Sequence, residues 1–109
     1  MSLIREIIQK EVIDVVRKKR SSKWRTVRKK FMKGKTCAVC GATKSLECHH
    51  IKDFSTNPEL ELEPTNLLAL CDGSMRCHRI WGHLGNWKSI NDTIVKDAAW
   101  FLSKIISRR

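Results

Sequence analysis

Acidic residues are missing from a long stretch of this sequence, because positions 15 to 46 contain neither aspartate nor glutamate. The whole chain has 22 lysine and arginine residues against 11 aspartate and glutamate residues, a net charge of +11. Basic residues crowd the acid-free stretch between Arg17 and Lys35. An excess clustered in this way indicates a polyanionic partner, most often a nucleic acid. The alternative is that the charge only keeps the protein soluble.

Long apolar runs are also missing. The most apolar segment, Leu3 to Val16, contains five charged residues, so it neither spans a membrane nor fits an export signal. With no export signal, the five cysteines favour a reducing cytoplasm and metal binding over a disulfide framework. We therefore expect a cytoplasmic protein with no membrane partner. At 109 residues the chain is one domain with a limited core, which a bound metal ion would help to stabilise.

Cysteine spacing predicts a structural zinc site. All five cysteines and all four histidines lie between residues 36 and 83. Four of the cysteines form two pairs, Cys37 with Cys40 and Cys71 with Cys77. The first pair has the spacing of a zinc knuckle, whose turn Gly41 allows to close, and the second lies far enough on for a hairpin to return. A redox motif or a chance pairing is the alternative. We interpret the fifth cysteine, Cys48, as a small buried residue.

Hydrophobic periodicity predicts three longer helices. The first covers residues 3–19, and its apolar stripe packs on the domain or pairs with another copy of the chain. The second covers residues 22–33, with a serine as N-cap, one apolar face and Gly34 as its C-terminal stop. The third follows the capping sequence Asn91-Asp92-Thr93. We expect the later tryptophans to be core residues rather than base-stacking platforms: Trp81, Trp87 and Trp100.

Two strands are predicted over residues 45–51 and 66–70. The loop between them carries three glutamates, which we interpret as a solvated rim held extended by two prolines: Glu59, Glu61, Glu63, Pro58 and Pro64. A short helix should start near Cys77. Along an ideal helix His83 lies about 140° round from His78, so one regular helix cannot direct both at one ion. Gly82 could break that helix and bring His83 back; otherwise His83 contacts phosphate or lies at the surface.

The combined pattern resembles the HNH endonucleases, especially their small phage and prophage members. The resemblance covers about residues 24 to 100 and rests on Cys37-x2-Cys40, His49-His50-Ile51, Asn66-Leu67 and Cys71…Cys77-His78. It implies an α+β fold with a small zinc-stapled ββα-metal (treble-clef-like) core, a two-stranded hairpin plus a helix, flanked by N- and C-terminal helices. The single domain, 1–109, then consists of a basic helical extension (1–35), the HNH core (36–85) and a C-terminal helix (86–109).

The same resemblance implies a metal-dependent DNA endonuclease that hydrolyses phosphodiester bonds. His49 would bind the catalytic divalent ion and His50 would be the general base. Asn66 would orient the base through backbone hydrogen bonds, and His78 would be a second metal ligand, with His83 as a further one. Besides structural zinc, the implied catalytic ion is Mg²⁺, Mn²⁺ or Ni²⁺, because neutral imidazole ligands also suit first-row transition metals.

Double-stranded DNA is the expected partner. The candidate backbone contacts are the basic residues on and beside the second helix: Lys23, Arg25, Arg28, Lys29, Lys30 and Lys33. Phage proteins of this kind often act beside the packaging terminase, in a bacterial cell or a phage-infected host, and the N-terminal helix could form a homodimer. Two alternatives remain: a zinc-ribbon DNA-binding module without cleavage activity, and an interaction domain that uses the Leu3 to Val16 stripe.

Overall fold

The structure is a computed structural model that describes residues 20–108. This part of the chain is α+β, with helix α1 (Trp24–Met32), strands β1 (Leu46–His50) and β2 (Leu67–Cys71), and helix α2 (Ile94–Ile106). Shorter 3₁₀ turns lie at Pro58–Leu60 and Pro64–Asn66, and a π-helical turn lies at His78–Gly82. The helix predicted over residues 3–19, with its packing or pairing, falls outside the described residues. Between residues 20 and 108, no helix is long and apolar enough to cross a membrane.

The two strands form an antiparallel sheet. Their register runs from Leu46 opposite Cys71 to His50 opposite Leu67. Each strand lies within one residue of its predicted position. The connecting loop is not extended as predicted, because Pro58 and Pro64 each begin a 3₁₀ turn. Proline is favoured there because its fixed φ is already helical. It also lacks an N–H, and an N–H in the first turn of a helix would have no acceptor within the helix.

A small core lies between the sheet, the loop that carries Cys37 and Cys40, and α2. Its largest buried apolar side chains are Leu70, Ile94 and Val39. Trp81 packs against this core and lies 5.1 Å from the ring of Phe101. The prediction for the other two late tryptophans is wrong, since Trp87 and Trp100 are 54% and 58% exposed.

Neither long helix is capped as predicted. The N-cap of α1 is Lys23, and Ser21 instead accepts a hydrogen bond from the Lys23 N–H before the helix begins. At α2 the N-cap Thr93 makes no side-chain cap bond, but the buried Asn91 accepts from its N–H and donates to the carbonyl of Trp81. Asn91 therefore joins α2 to the π-helical turn instead of capping the helix.

Helix α1 is placed by its predicted apolar face. Trp24, Val27 and Phe31 are half-buried, although no residue of the helix is fully buried. The indole of Trp24 lies 4.6 Å from the ring of His50, so the helix adjoins the end of β1. The helix ends before Gly34, whose φ of +73° is in the left-handed region that glycine adopts without strain. The basic face of α1 is thereby directed to solvent beside the sheet.

Candidate functional site

Four of the five cysteines come together at one end of the sheet. We call this set the cysteine cluster: Cys37, Cys40, Cys71 and Cys77. Their sulfur atoms lie within 4.8 Å of one another, and the sulfurs of Cys40 and Cys71 are 3.6 Å apart. Tetrahedral zinc, with Zn–S bonds of about 2.3 Å, separates its sulfur ligands by about 3.8 Å. The four thiols could therefore hold one metal ion, and Cys48 is not among them. The prediction that Cys48 is buried is wrong, because the residue is half-buried and lines a cleft.

The knuckle is held in place by backbone hydrogen bonds. The Gly41 N–H donates to the Cys37 carbonyl with Gly41 at a φ of +77°, and the Ala38 N–H donates to the Ala69 carbonyl in β2. Burial and the neighbouring sulfur atoms raise the pKa of Cys77. Burial would also raise the pKa of Cys37, but N–H groups directed at its sulfur lower that pKa overall. Four crowded cysteines, three of them buried, favour a cation, because thiolates at this spacing repel one another without one.

Three histidines converge in a second group, which we call the histidine cluster: His49, His78 and His83. His49 lies on β1, His78 begins the π-helical turn and His83 follows its end. The ring centroids are 5.1 Å apart for His49 and His78, and 4.9 Å apart for each other pair. One nitrogen from each ring lies within 4.8 Å of the others, so the three could bind one ion.

The π-helical turn explains how His78 and His83 meet. In a π-helix the hydrogen bonds span five residues, so side chains five apart lie about one turn apart. A regular helix from Cys77, as the sequence predicted, would have separated the two rings. Gly82 is needed for space, because a Cβ atom there would lie 3.0 Å from His49 Cε1 and 3.1 Å from Leu70 Cδ1. Only a residue without a side chain lets the turn pack this closely on β1.

Hydrogen bonds leave the histidine cluster with free ring nitrogens. His83 Nδ1 donates to the Ser89 carbonyl at 2.7 Å, and His78 Nδ1 faces the Asp72 carboxylate at 3.4 Å. Their Nε2 atoms then keep the lone pairs, the arrangement typical of metal-binding histidines. His49 Nε2 is buried and has no hydrogen-bond partner among the described residues. A metal ion would satisfy that buried nitrogen, so the residues fit a divalent cation.

The charge state of the histidine cluster also suits metal binding. Burial, together with the nearby His78 and His83, lowers the pKa of His49 to about 3. Burial also lowers the pKa of His78, although the Asp72 carboxylate opposes the shift. These two imidazoles are therefore neutral at pH 7, and neutral imidazole is the form that binds metals.

His50 points away from the histidine cluster and is held differently. Its Nε2 lies 3.0 Å from the Glu61 carbonyl oxygen, which only accepts, so Nε2 carries the proton. Its Nδ1 lies 3.4 Å from a guanidinium nitrogen of Arg20, which only donates, so Nδ1 keeps a lone pair. Burial lowers the pKa of His50, and the positive charge of Arg20 adds to that shift against the Glu61 carbonyl. His50 is thus a neutral imidazole with one proton-accepting nitrogen.

Asn66 fastens the loop that leads from β1. Its side-chain oxygen accepts from the Lys52 N–H at 2.8 Å, and its amide donates to the carbonyls of Lys52 and Leu60. The residue is buried, and its own carbonyl accepts from the Ile51 N–H. These bonds fix the loop that supplies the Glu61 carbonyl to His50.

A cleft of about 570 Å³ brings the histidines together. It is lined by all four histidines and by residues that the sequence did not assign to the site, among them Arg20, Phe54, Trp87 and Lys88. Trp87 lies 5.2 Å from the ring of His78 and 5.0 Å from that of His83.

Glu61 was wrongly interpreted as part of a solvated rim, since it is 5% exposed while Glu59 and Glu63 are exposed. Three acids at alternate positions give no sequence signal for which one is buried.

The candidate DNA contacts lie on one exposed surface along α1. Five of them are exposed: Lys23, Arg25, Lys29, Lys30 and Lys33. Arg28 is half-buried, and its guanidinium forms an ion pair with Glu47 at 3.4 Å. Because Trp24 of the same helix stacks on His50, this basic surface adjoins the histidine cleft.

No family model, curated protein or solved structure matches the chain.

Proposed function

We propose that the chain is a metal-dependent DNA endonuclease of the HNH type that hydrolyses phosphodiester bonds. The observation that carries the proposal is the cleft in which a three-histidine cluster lies beside His50, whose lone pair is directed by the Glu61 carbonyl. In this proposal residues 36–85 form a zinc-stapled ββα-metal (treble-clef-like) core, and the cysteine cluster binds zinc. The phage origin and a terminase partner, expected from the resemblance, stay predictions.

His50 carries the acid–base chemistry in this proposal. Its Nδ1 takes a proton from a water molecule as that oxygen bonds to phosphorus and the bond to the leaving oxygen breaks. The Nε2–H bond to the Glu61 carbonyl keeps the ring in the required tautomer and stabilises the imidazolium that forms. Asn66 holds the loop that carries this carbonyl, so it acts on the base indirectly.

The histidine cluster would hold the divalent ion through His49, His78 and His83. When bound, a divalent ion supplies Lewis acidity that neutralises the charge developing on the phosphate and the leaving oxygen. Three imidazole ligands favour first-row transition metals such as Mn²⁺ or Ni²⁺ over Mg²⁺, which prefers oxygen ligands. The exposed basic residues of α1 would bind the DNA backbone without reading the bases.

A zinc-ribbon DNA-binding module without cleavage activity is the second candidate, favoured by the cysteine cluster and the basic surface of α1. Relaxation of supercoiled plasmid separates the two. The endonuclease should nick or linearise the plasmid with Mn²⁺, Ni²⁺ or Mg²⁺ and should stop when EDTA is added. A protein that binds the plasmid but never cuts it, with any of the three ions, is the binding module.

Alanine substitutions at His49, His50 and His78 test the assigned roles. His50→Ala should lower cleavage by about 10²- to 10⁴-fold, the usual contribution of a general base, with Mn²⁺ affinity nearly unchanged. His49→Ala and His78→Ala should instead lower Mn²⁺ affinity in calorimetry, and excess metal should restore part of their cleavage. Zinc content should be unchanged in all three and serves as the control for folding. Full cleavage by His50→Ala contradicts the mechanism, and loss of Mn²⁺ binding by that variant reverses the assignment.

A further inference from the structure

Arg20 occupies an unusual position on the wall of the histidine cleft. The centre of its guanidinium lies 4.2 Å from the ring centroid of Phe54 and 5.2 Å from that of Trp24. One of its terminal nitrogens lies 3.4 Å from His50 Nδ1, and the side chain remains 45% exposed. Aromatic rings stabilise a guanidinium and limit its movement. The arginine is therefore held next to His50 while still open to a ligand in the cleft.

Glu61 fixes Arg20 and His50 together. Its carboxylate, almost completely buried, lies 3.9 Å from Arg20 and accepts from the Ser21 N–H at 3.1 and 3.2 Å. Its backbone carbonyl accepts the Nε2–H of His50. A buried carboxylate is stable only when paired, so these contacts hold residues 20 and 21 against the loop. One residue thus sets the separation between the charge of Arg20 and the lone pair of His50.

The polar contacts of Arg20 leave it able to bind an anion. Both contacts, to His50 and to Glu61, use the same terminal nitrogen of Arg20. The other N–H donors of the guanidinium have no partner among the described residues. The 3.4 Å contact to a neutral imidazole is near the outer limit for a hydrogen bond. A phosphate oxygen binds a guanidinium more strongly, through shorter, charge-assisted hydrogen bonds.

We propose that Arg20 binds a non-bridging oxygen of the phosphodiester that is cleaved, and that Glu61 is the residue that positions it. This inference rests on the proposed endonuclease function. The Arg20 guanidinium then stabilises the negative charge that develops on this non-bridging oxygen while His50 accepts the proton of the attacking water. Arg20 then differs from the basic residues of α1, which are exposed and bind phosphates away from the cleaved bond.

Single-turnover cleavage of a labelled duplex, with saturating protein and Mn²⁺, tests this role. Arg20→Ala should lower the cleavage rate by about 10²- to 10³-fold, as removal of one donor to a developing oxyanion does. Arg20→Lys should recover part of the loss, because it keeps the charge without the guanidinium fork. Arg108→Ala is the matched control: it removes an exposed arginine that lies beyond the end of α2 and does not line the cleft, so it should cleave at the wild-type rate.

Glu61→Gln tests the positioning role without removing the backbone carbonyl from His50. The amide oxygen can still accept from the Ser21 N–H, but the charge opposite Arg20 is lost. We expect about a tenfold lower rate at saturation, with Mn²⁺ affinity and melting temperature near wild type. Glu63→Gln, an exposed neighbour on the same loop, should cleave normally.

The outcomes separate this inference from the endonuclease proposal. If wild type cleaves and Arg20→Ala cleaves equally fast at saturation, the role of Arg20 is refuted while the endonuclease proposal stands. If Arg20→Ala loses Mn²⁺ affinity or melting temperature in proportion to its rate, Arg20 is structural and the inference is wrong. If wild type cleaves nothing with any divalent ion, both proposals fail.

Discussion

Gly82→Ala should weaken Mn²⁺ binding by the histidine cluster and leave zinc binding by the cysteine cluster unchanged. A Cβ atom at Gly82 would lie 3.0 Å from His49 Cε1, 3.2 Å from its Nδ1 and 3.1 Å from Leu70 Cδ1. Ordinary contacts of a Cβ atom lie at 3.4 to 4 Å, so the His49 ring or the π-helical turn must move by a few tenths of an ångström. Metal and catalytic sites tolerate displacements of only about 0.5 Å.

The energetic cost of Gly82→Ala divides between stability and metal affinity. Overpacking of this kind destabilises a fold by about 1 to 3 kcal/mol, partly offset by about 0.4 to 1 kcal/mol from the less flexible unfolded chain. We expect Mn²⁺ affinity to fall by about 10- to 100-fold, as when a group that orients a metal ligand is changed. Calorimetric titration with Mn²⁺ measures the affinity, and elemental analysis measures the retained zinc.

Gly73→Ala is the matched control. Its added Cβ would meet Ser45 at 3.6 and 3.8 Å, which is ordinary contact. Gly34 and Gly85 are unsuitable, because their φ values of +73° and +79° would strain any alanine. A Gly82→Ala protein that binds Mn²⁺ as tightly as Gly73→Ala and wild type would refute the reasoning that His49 is placed by its contact with the turn.

Three further tests use substitutions elsewhere in the chain. Lys29→Ala with Lys30→Ala should weaken binding to all DNA sequences alike and reduce the slope of log affinity against log salt by about 2; an unchanged slope excludes this surface from the interface. Mn²⁺ should quench tryptophan fluorescence through Trp87, so Trp87→Phe should remove most of the quenching while Trp100→Phe keeps it. Asn66→Ala should cost about 1 to 3 kcal/mol in the free energy of unfolding, measured with urea, because it leaves part-buried backbone groups of the loop without their partners; wild-type stability contradicts that role.

Local sequence patterns predicted much of the fold. Both strands lie within one residue of the positions that the sequence predicted. Cysteine spacing predicted the group of four that the structure brings together, since thiols reach a common ion only when turns return them to it. The half-buried face of α1 followed from its helical period. Each inference used a local rule that tertiary contacts did not override.

The missed features depend on contacts between distant segments. The π-helical turn follows from how closely Gly82 packs on His49, and a glycine in the sequence does not reveal what approaches it. Glu61 is buried because the Ser21 N–H and Arg20 meet it from a segment forty residues earlier. Trp87 was assigned to the core from its size alone, yet it is 54% exposed and lies beside the rings of His78 and His83. In each case the deciding partner is absent from the local pattern.

The two clusters share structural elements, so loss of metal binding by the cysteine cluster should also weaken metal binding by the histidine cluster. Cys71 ends β2, whose partner strand carries His49, and Cys77 directly precedes His78. Structural zinc sites contribute about 10 to 16 kcal/mol, as much as the whole stability of a small domain. Cys40→Ser should therefore lower zinc content, melting temperature and Mn²⁺ affinity together, whereas His49→Ala should lose Mn²⁺ affinity alone and keep about one zinc per chain. A Cys40→Ser protein with wild-type zinc content and melting temperature would show that the cysteine cluster is not a structural metal site.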